Sequence, residues 1–501
     1  MPKGFICEVG LRFTGTPRCS RDTAGKGRQQ FRRFLPVRTV STADRSVVFV
    51  PEPYTTFGGT LPTRIGMSIN KSIFYTTAVQ LPSVALGFGT GICITRLLQD
   101  VGRGYYTVLQ SDVVLLSLLI SFNLGAGLLF FLAKEGVDKK RSIGIAASAM
   151  LIIGVLLASL LAYAWYYGLP ANPLLPEGID GFYYVAYLVG TLFFSLSHSF
   201  FNAIFLGLRL FRIANQMTLI SAILMAAVFG TLFFWLRSSP GAGNLPMVLL
   251  CSFLILLVLN ALWLVYYMVH VRVRPVLFTG GELLRPLASF VFIGYVANLL
   301  NQLNYRFDIW YLQDVRGAGE LGLYAVAVGV AQFFFQVPEP LSRVLQPHLI
   351  GQFDDEMLGR FRLYARLSFT LVLVGGTVFM FLAGWMFSFL YGDAFARSAL
   401  AFRWLMPGIL FACASKMMAL LVVRTGKVGY NALASGVGLV FTVLLNVFLV
   451  PKYGLVGAAI ASTAAYLAVL LVVLWAVFRR LGVPWGNYYI LMPGDLGRLL
   501  K

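Results

Sequence analysis

Acidic side chains are scarce in this 501-residue chain: 20 Asp and Glu stand against 40 Lys and Arg, and all four types together make up only 12% of it. Histidines number 3 and cysteines 5. These shortages exclude whole classes of chemistry. No HExxH pair, GxxxxGKS/T loop or GxSxG elbow occurs, so a zinc hydrolase, a phosphate-loop nucleotidase and a serine hydrolase are all ruled out as readings. Cys7, Cys19, Cys93, Cys251 and Cys413 have no CxxC or other paired spacing, and three of them fall inside apolar runs. Free thiols are expected, without disulfide, metal site or resident cofactor. No soluble stretch is long enough to hydrolyse a nucleotide, so an enzyme is not expected, and any work done draws on a gradient or on the substrate itself.

Apolar residues, by contrast, make up 58% of the chain, and its mean hydropathy is +0.78, beyond the balance of a soluble domain. Apolar runs of roughly 20 residues, each able to cross a hydrocarbon core about 30 Å thick at about 1.5 Å per residue, recur along it. They fall at 72–97, 105–133, 142–167, 181–207, 215–236 and 245–269, then at 286–311, 321–349, 363–390, 399–423, 430–450 and 455–478. The expected fold is an all-α integral membrane protein with twelve transmembrane helices. Residues 67–270 carry the first six, 271–285 form a basic connector, 286–478 carry the second six, and 479–501 form a tail.

The formal charge of +20 argues for membrane orientation and against a nucleic-acid partner, because the basic residues sit in a leader and between the apolar runs. One set of alternate connectors holds Lys134, Lys139, Lys140 and Arg141, then Arg209 and Arg212, Arg272, Arg274 and Arg285, Arg360 and Arg362, Arg424 and Lys427, and Arg479 and Arg480. The other set has only Arg103, Arg237, Arg316, Arg397 and Lys452. The positive-inside rule then puts both termini in the cytoplasm. Residues 1–66 differ in kind, with 11 Lys or Arg against 4 acids and no run able to span. A polybasic arm on anionic lipid, a disordered extension and an untranslated stretch upstream of Met67 all fit that composition. Peptide mapping is expected to begin near Met67, and finding residues 1–66 intact would refute that start.

An internal repeat divides the spans. Leu98-Gln99-Asp100-Val101, after the first run, returns as Leu312-Gln313-Asp314-Val315 after the seventh, 214 residues later. Arg209, Arg212 and Asn215 before the fifth run correspond to Arg424, Lys427 and Asn431 before the eleventh. With six spans per copy, the copies share one orientation. Two pseudo-symmetric six-helix lobes around a central cavity follow, related by an axis along the membrane normal.

An ionisable group at mid-membrane costs roughly 2.5–3.5 kcal/mol by insertion scales, so it is expected to face a cavity or a partner. The seventh run is the most polar, and helical spacing puts Asn298, Gln302 and Arg306 on one ridge. Arg306 is the candidate for an anionic headgroup, its guanidinium being permanently charged and able to grip phosphate bidentately. The alternative ties it to Asp308 or to another helix, or lets it snorkel outward. Lys416 lies deep in the tenth run as a second cationic candidate. Asp112 suits either neutralisation of Arg306 or a coupling cation, as does Asp308, and His198 either a proton relay or an ordinary hydrogen bond. Pro338, Glu339 and Pro340 interrupt the eighth run, with Arg343 at i+4 from Glu339: a salt bridge beside a kink, or a hinge. Taken together, these residues suit a protein that moves an amphiphile across the bilayer.

Three passages carry a family resemblance over residues 67–501. Ile94 to Leu98, followed by Gly102, Gly104 and Tyr105, forms one. Asn304-Tyr305-Arg306-Phe307-Asp308 forms the second, and NVFLVPKYGLVGAAIASTAAY from Asn446 to Tyr466, the most specific, forms the third. Each resembles the bacterial polysaccharide or O-antigen flippases of the multidrug, oligosaccharidyl-lipid and polysaccharide exporter superfamily. The resemblance implies a bacterial inner-membrane protein that flips an undecaprenyl-pyrophosphate-linked oligosaccharide by alternating access, often with cation coupling. Its partners would be lipid-linked oligosaccharide and membrane lipids, with a polysaccharide polymerase and glycosyltransferases nearby, and the protein itself would be a monomer.

Rival readings differ in their cavities. A multidrug antiporter of the same superfamily should have an acidic or aromatic one for cationic drugs, against which Arg306 and Lys416 speak. A peptidoglycan lipid-precursor flippase typically carries two further spans after the twelfth, whereas the residues after Arg480 read as a short amphipathic tail. A membrane glycosyltransferase or ligase needs catalytic acids on a large outer loop, and the longest outer loop, 168–180, is short.

Overall fold

In a bilayer each backbone N–H and C=O must be satisfied within the protein, and a chain this apolar meets that demand with helices. The computed structural model describes residues 69–121, 124–133, 139–167, 181–208, 210–271, 276–277, 284–351, 355–425, 427, 429–483 and 486–495. Contacts divide the chain into Met1–Arg64 and Ile65–Lys501. The basic leader and Lys134, Arg209, Arg272 and Arg274 of the connectors lie outside the described residues, as does the 168–180 loop.

The elements are α1 (Ile69–Ser121), α2 (Leu124–Ala133), α3 (Lys139–Tyr167), α4 (Gly181–Gly207), α5 (Phe211–Leu236) and α6 (Leu245–His270), then α7 (Leu284–Gln332), α8 (Pro338–Gly351), α9 (Asp355–Tyr391), α10 (Ser398–Arg424) and α11 (Gly429–Trp475). No strand occurs among the described residues. Nine helices there are long and apolar enough to cross a membrane, which makes this a multi-pass membrane protein. Three of the long helices are broken inside by a residue with positive φ: α1 at Gln99 (56°), α7 at Gly317 (81°) and α11 at Gly454 (55°). Each break falls in a gap between two apolar runs of the sequence.

The second half echoes the first element by element: α7 takes the place of α1, α9 of α3, and α10 of α4. The buried cores follow the same division. Leu97, Leu109, Leu192 and Val248 anchor one cluster of the first half, with Ile204, Phe205, Met217 and Trp263 in another. Tyr324, Phe387, Phe395 and Phe402 anchor the second half, with Phe361, Met418 and Tyr488 in its other cluster. Among fully buried residues only Val108 of α1 crosses over. Lipid tails are as apolar as leucine, so these helices gain little from water exclusion among themselves and associate through close packing. Glycine supplies the closest approaches: a Cβ on Gly104 would strike the Ala318 carbonyl, and one on Gly322 that of Asp100. These contacts join α1 to α7, the most extensive helix pair in the protein.

Around them lies a polar collar. Arg96 donates from Nε to the Leu390 carbonyl at 2.7 Å, and Arg316 from Nη2 to that of Pro451 at 2.7 Å. Glu320 faces both Arg316 (4.0 Å) and Arg397 (3.7 Å). Exposed aromatic residues finish the helices that end here: Tyr163, Tyr166 and Tyr167 on α3, Trp235 on α5, and Trp385 and Phe389 on α9. Such belts mark membrane interfaces. The described tail, rather than standing free, packs on α9: Arg366 pairs with Asp495 at 2.9 Å and donates to the Asn487 carbonyl at 2.7 Å, and Tyr488 is fully buried.

Candidate functional site: the α1–α7 seam and the α7–α10–α11 cavity

Polar residues on α7 project in three directions. Toward α1, the Arg306 guanidinium donates from Nη1 to Ser111 Oγ at 3.3 Å. One turn on, Trp310 Nε1 donates to Asp112 Oδ1 at 2.9 Å, while Asp112 Oδ2 is buried with no partner. Both bonds link the two halves of the chain. Of the alternatives considered for Arg306, the structure supplies the tie to another helix, through the neutral Ser111 of α1, and no carboxylate among the described residues forms an ion pair with it. Asp112 likewise meets Trp310, not Arg306.

Toward α11, Asp308 is 5% exposed and enclosed. Its carboxylate accepts from the Tyr324 hydroxyl, from Ser462 Oγ at 3.2 Å and from the Ile309 amide at 2.9 Å. One turn earlier Asn304 Oδ1 accepts from Thr442 Oγ1 at 2.5 Å. Asn446 donates to the Thr442 carbonyl at 2.8 Å and leaves its own Oδ1 buried without a partner. Gly438 makes room for this, since a Cβ there would lie 3.1 Å from Asn304 Nδ2. Carboxylate, amide and hydroxyl oxygens are the ligands hard cations prefer.

The third direction opens into a cavity of about 390 Å³ between α7, α10 and α11. Asn298, Asn301, Asn304 and Asn431 line it, with Ser415 and Ser435. Tyr305 and Tyr466 form one wall, their ring centroids 5.6 Å apart. Lys416 reaches the same cavity, but its ammonium is 3.0 Å from Glu339 and 4.7 Å from the Phe335 ring centre.

The ridge read from helical spacing therefore divides. Asn298 and Lys416 share the cavity, while Arg306 turns to the seam and Gln302 lines neither. Glu339 and Pro338 open α8 just after a tight 3-10 turn, Phe333–Gln336, where proline costs no helical hydrogen bond. Glu339 reaches Lys416 there, and the Arg343 side chain lies outside the described residues. His198 packs between Phe194 and Trp263, at 5.7 and 5.2 Å between ring centres, away from both sites. Unforeseen were Ser111, Trp310, Tyr324, Thr442 and Asn431. The i,i+4 pairs Asn304/Asp308 and Thr442/Asn446 were the available signal, as was the passage from Asn446 to Tyr466, which contains Ser462.

The arrangement of paired helical halves around a polar seam is that of a known class of membrane transporter folds. A MATE crystal structure superposes with a TM-score of 0.60 at 15% identity, covering 83% of this chain and 97% of that one. A MOP-superfamily transporter from Pyrococcus furiosus gives 0.58 at 15%, covering 82% and 96%. The lipid II flippase MurJ gives 0.56 at 12%, covering 84% and 95%. The chain belongs to the polysaccharide biosynthesis protein family, whose profile it matches over residues 69–350, more than half its length. It is also 24% identical over 179 residues to the capsular polysaccharide biosynthesis protein CapF of Staphylococcus aureus, a match spanning 35% of this chain and 45% of that relative.

Proposed function

We infer that this protein moves a lipid-linked oligosaccharide, carried on a polyprenyl pyrophosphate, across the cell membrane by alternating access during surface polysaccharide assembly. The observation that carries this reading is Arg306: a permanent cation in the seam between the halves, hydrogen-bonded to a neutral hydroxyl and in no ion pair among the described residues, and thus available to an anionic headgroup. Family membership supplies the glycan. The breaks at Gln99, Gly317 and Gly454 are read as turns between spans, which resolves the nine long helices into twelve, six to a lobe. With the basic connectors in the cytoplasm, the Gly104–Ala318 collar closes the outer face, and both termini are cytoplasmic. The polyprenyl tail stays in the bilayer while the headgroup crosses between the lobes, so membrane lipid is a constant partner, and polymerase and glycosyltransferases act on either side of a monomer.

The oxygens of Asp308 and Ser462 are the proposed site of a coupling cation, with Asp112 as the second candidate. His198, enclosed by aromatic rings, is a poor relay. Deleting the gene should trap lipid-linked oligosaccharide in the inner leaflet. Wild type should restore export, Arg306→Lys in part, and Arg306→Ala poorly, with a loss of roughly tenfold or more expected for a charge-assisted contact. Normal export in the deletion strain would refute the flippase reading, and full activity of Arg306→Ala would refute the site. A drug antiporter fits less well, because no acid lines the cavity among the described residues, and Glu339 is occupied by the cavity's Lys416.

A further inference from the structure

The cavity between α7, α10 and α11 is lined by neutral groups that have little in the protein to bond. The side chains of Asn298 and Asn301 make no hydrogen bond to any described residue, and Asn431 Oδ1 is buried without a partner. The hydroxyls of Tyr305 and Tyr466 are likewise unpaired among the described residues. At membrane depth such groups are satisfied by water or by a ligand. Charge decides which ligand. Lys416 brings a cation to the wall, but Glu339 neutralises it at 3.0 Å, so an anion gains little by entering. Arg306, although next in sequence to Tyr305, turns out of the cavity toward Ser111.

Each side-chain amide offers two donors and an acceptor, the pattern that matches neighbouring hydroxyls on a sugar ring. The Tyr305–Tyr466 wall offers aromatic faces for the ring's apolar side. The cavity, at about 390 Å³, has the room of about a dozen waters at ~30 Å³ each, enough for a sugar residue with some solvent. We propose that this cavity is the saccharide subsite: it takes the neutral pyranose nearest the pyrophosphate while Arg306 holds the phosphate in the seam outside. This rests on the flippase reading, and it assigns substrate discrimination to Asn298, Asn301 and Asn431.

The test uses full-length protein in lipid nanodiscs. Affinity is measured for polyprenyl pyrophosphate and for the same lipid bearing N-acetylglucosamine, galactose or glucose. At least one glycosylated lipid should bind about tenfold more tightly than the bare lipid, equivalent to one or two net hydrogen bonds. Asn301→Leu and, as a gentler change, Asn431→Ser should each erase most of that preference and leave the bare-lipid affinity unchanged. Arg306→Ala should weaken every lipid by a similar factor. If no sugar improves on the bare lipid, or if both asparagine variants weaken all lipids alike, the saccharide subsite is overturned while an Arg306-dependent lipid site stands. If wild type binds none of the lipids, the flippase reading falls and the subsite with it.

Discussion

At the scale of single residues, the energetic burden of this protein sits on a few polar side chains that the bilayer would otherwise expel. Asp308 is tolerated because three donors surround it, and those donors in turn depend on it. Asp308→Leu should leave the Tyr324 and Ser462 hydroxyls only each other, 3.2 Å apart, and the Ile309 amide without its side-chain acceptor, at roughly 1–3 kcal/mol for each donor left unpaired, read as a lower melting temperature in detergent. Asp308→Asn should keep most of that stability and abolish any dependence of transport on the coupling cation; a variant equally stable and equally cation-dependent would remove Asp308 from the coupling role. Lys416 and Glu339 form a mutual pair. Each single neutralisation should lower thermal stability more than the double Lys416→Met/Glu339→Gln variant does, whereas a headgroup-binding Lys416 would make the double variant lose substrate affinity. Sequence alone made Asn298, Arg306, Asp308 and Lys416 conspicuous, because polarity within an apolar run is visible there. The partners were not visible. Serine and threonine are common in membrane helices and usually bond one turn back along their own helix, as Ser148 does with Gly144, so nothing in the sequence set Ser111 apart, and Ser462 was marked only by the passage that contains it.

At the scale of elements, glycine and the helix breaks govern how the halves meet. Gly104→Val should push α1 away from the Ala318 carbonyl and so loosen the collar, lowering both melting temperature and transport. Gly230→Val, on α5 with open space around it, should stay within about 0.5 kcal/mol of wild type, and equal damage from both would dissolve the special status of the collar. Gly454 holds a φ of 55° beside Glu320, so Gly454→Ala combines backbone strain of about 1–2 kcal/mol with a collision against the carboxylate. Its melting curve should shift down, and an unshifted curve would mean that the break relaxes into a helix. Run length located the apolar helices because it follows from bilayer thickness. Which ridge of α7 faced what was harder to foresee: three faces of one helix carry polar residues, and spacing assigns them to ridges without saying what stands opposite. The tail was read as amphipathic, and Arg366 and the burial of Tyr488 fasten its described part to α9.

At the scale of the whole molecule, the repeat, the divided cores and the polar seam describe one machine. Each half keeps its own buried cluster, and few fully buried residues are shared, so the halves can separate at one end without unfolding. The contacts that would have to open are the Gly104–Ala318 and Gly322–Asp100 approaches and the carbonyl bonds of Arg96 and Arg316. On the proposed reading, a headgroup passing between them would meet Arg306 on the way. The most direct test places purified protein in liposomes containing a fluorescent polyprenyl-pyrophosphate saccharide and follows, with a membrane-impermeant quencher, how fast the label changes leaflets. Wild type should speed that exchange well above protein-free liposomes, with Arg306→Ala falling close to the protein-free rate. Exchange no faster than in protein-free liposomes, for wild type as well as for the variant, would contradict the account.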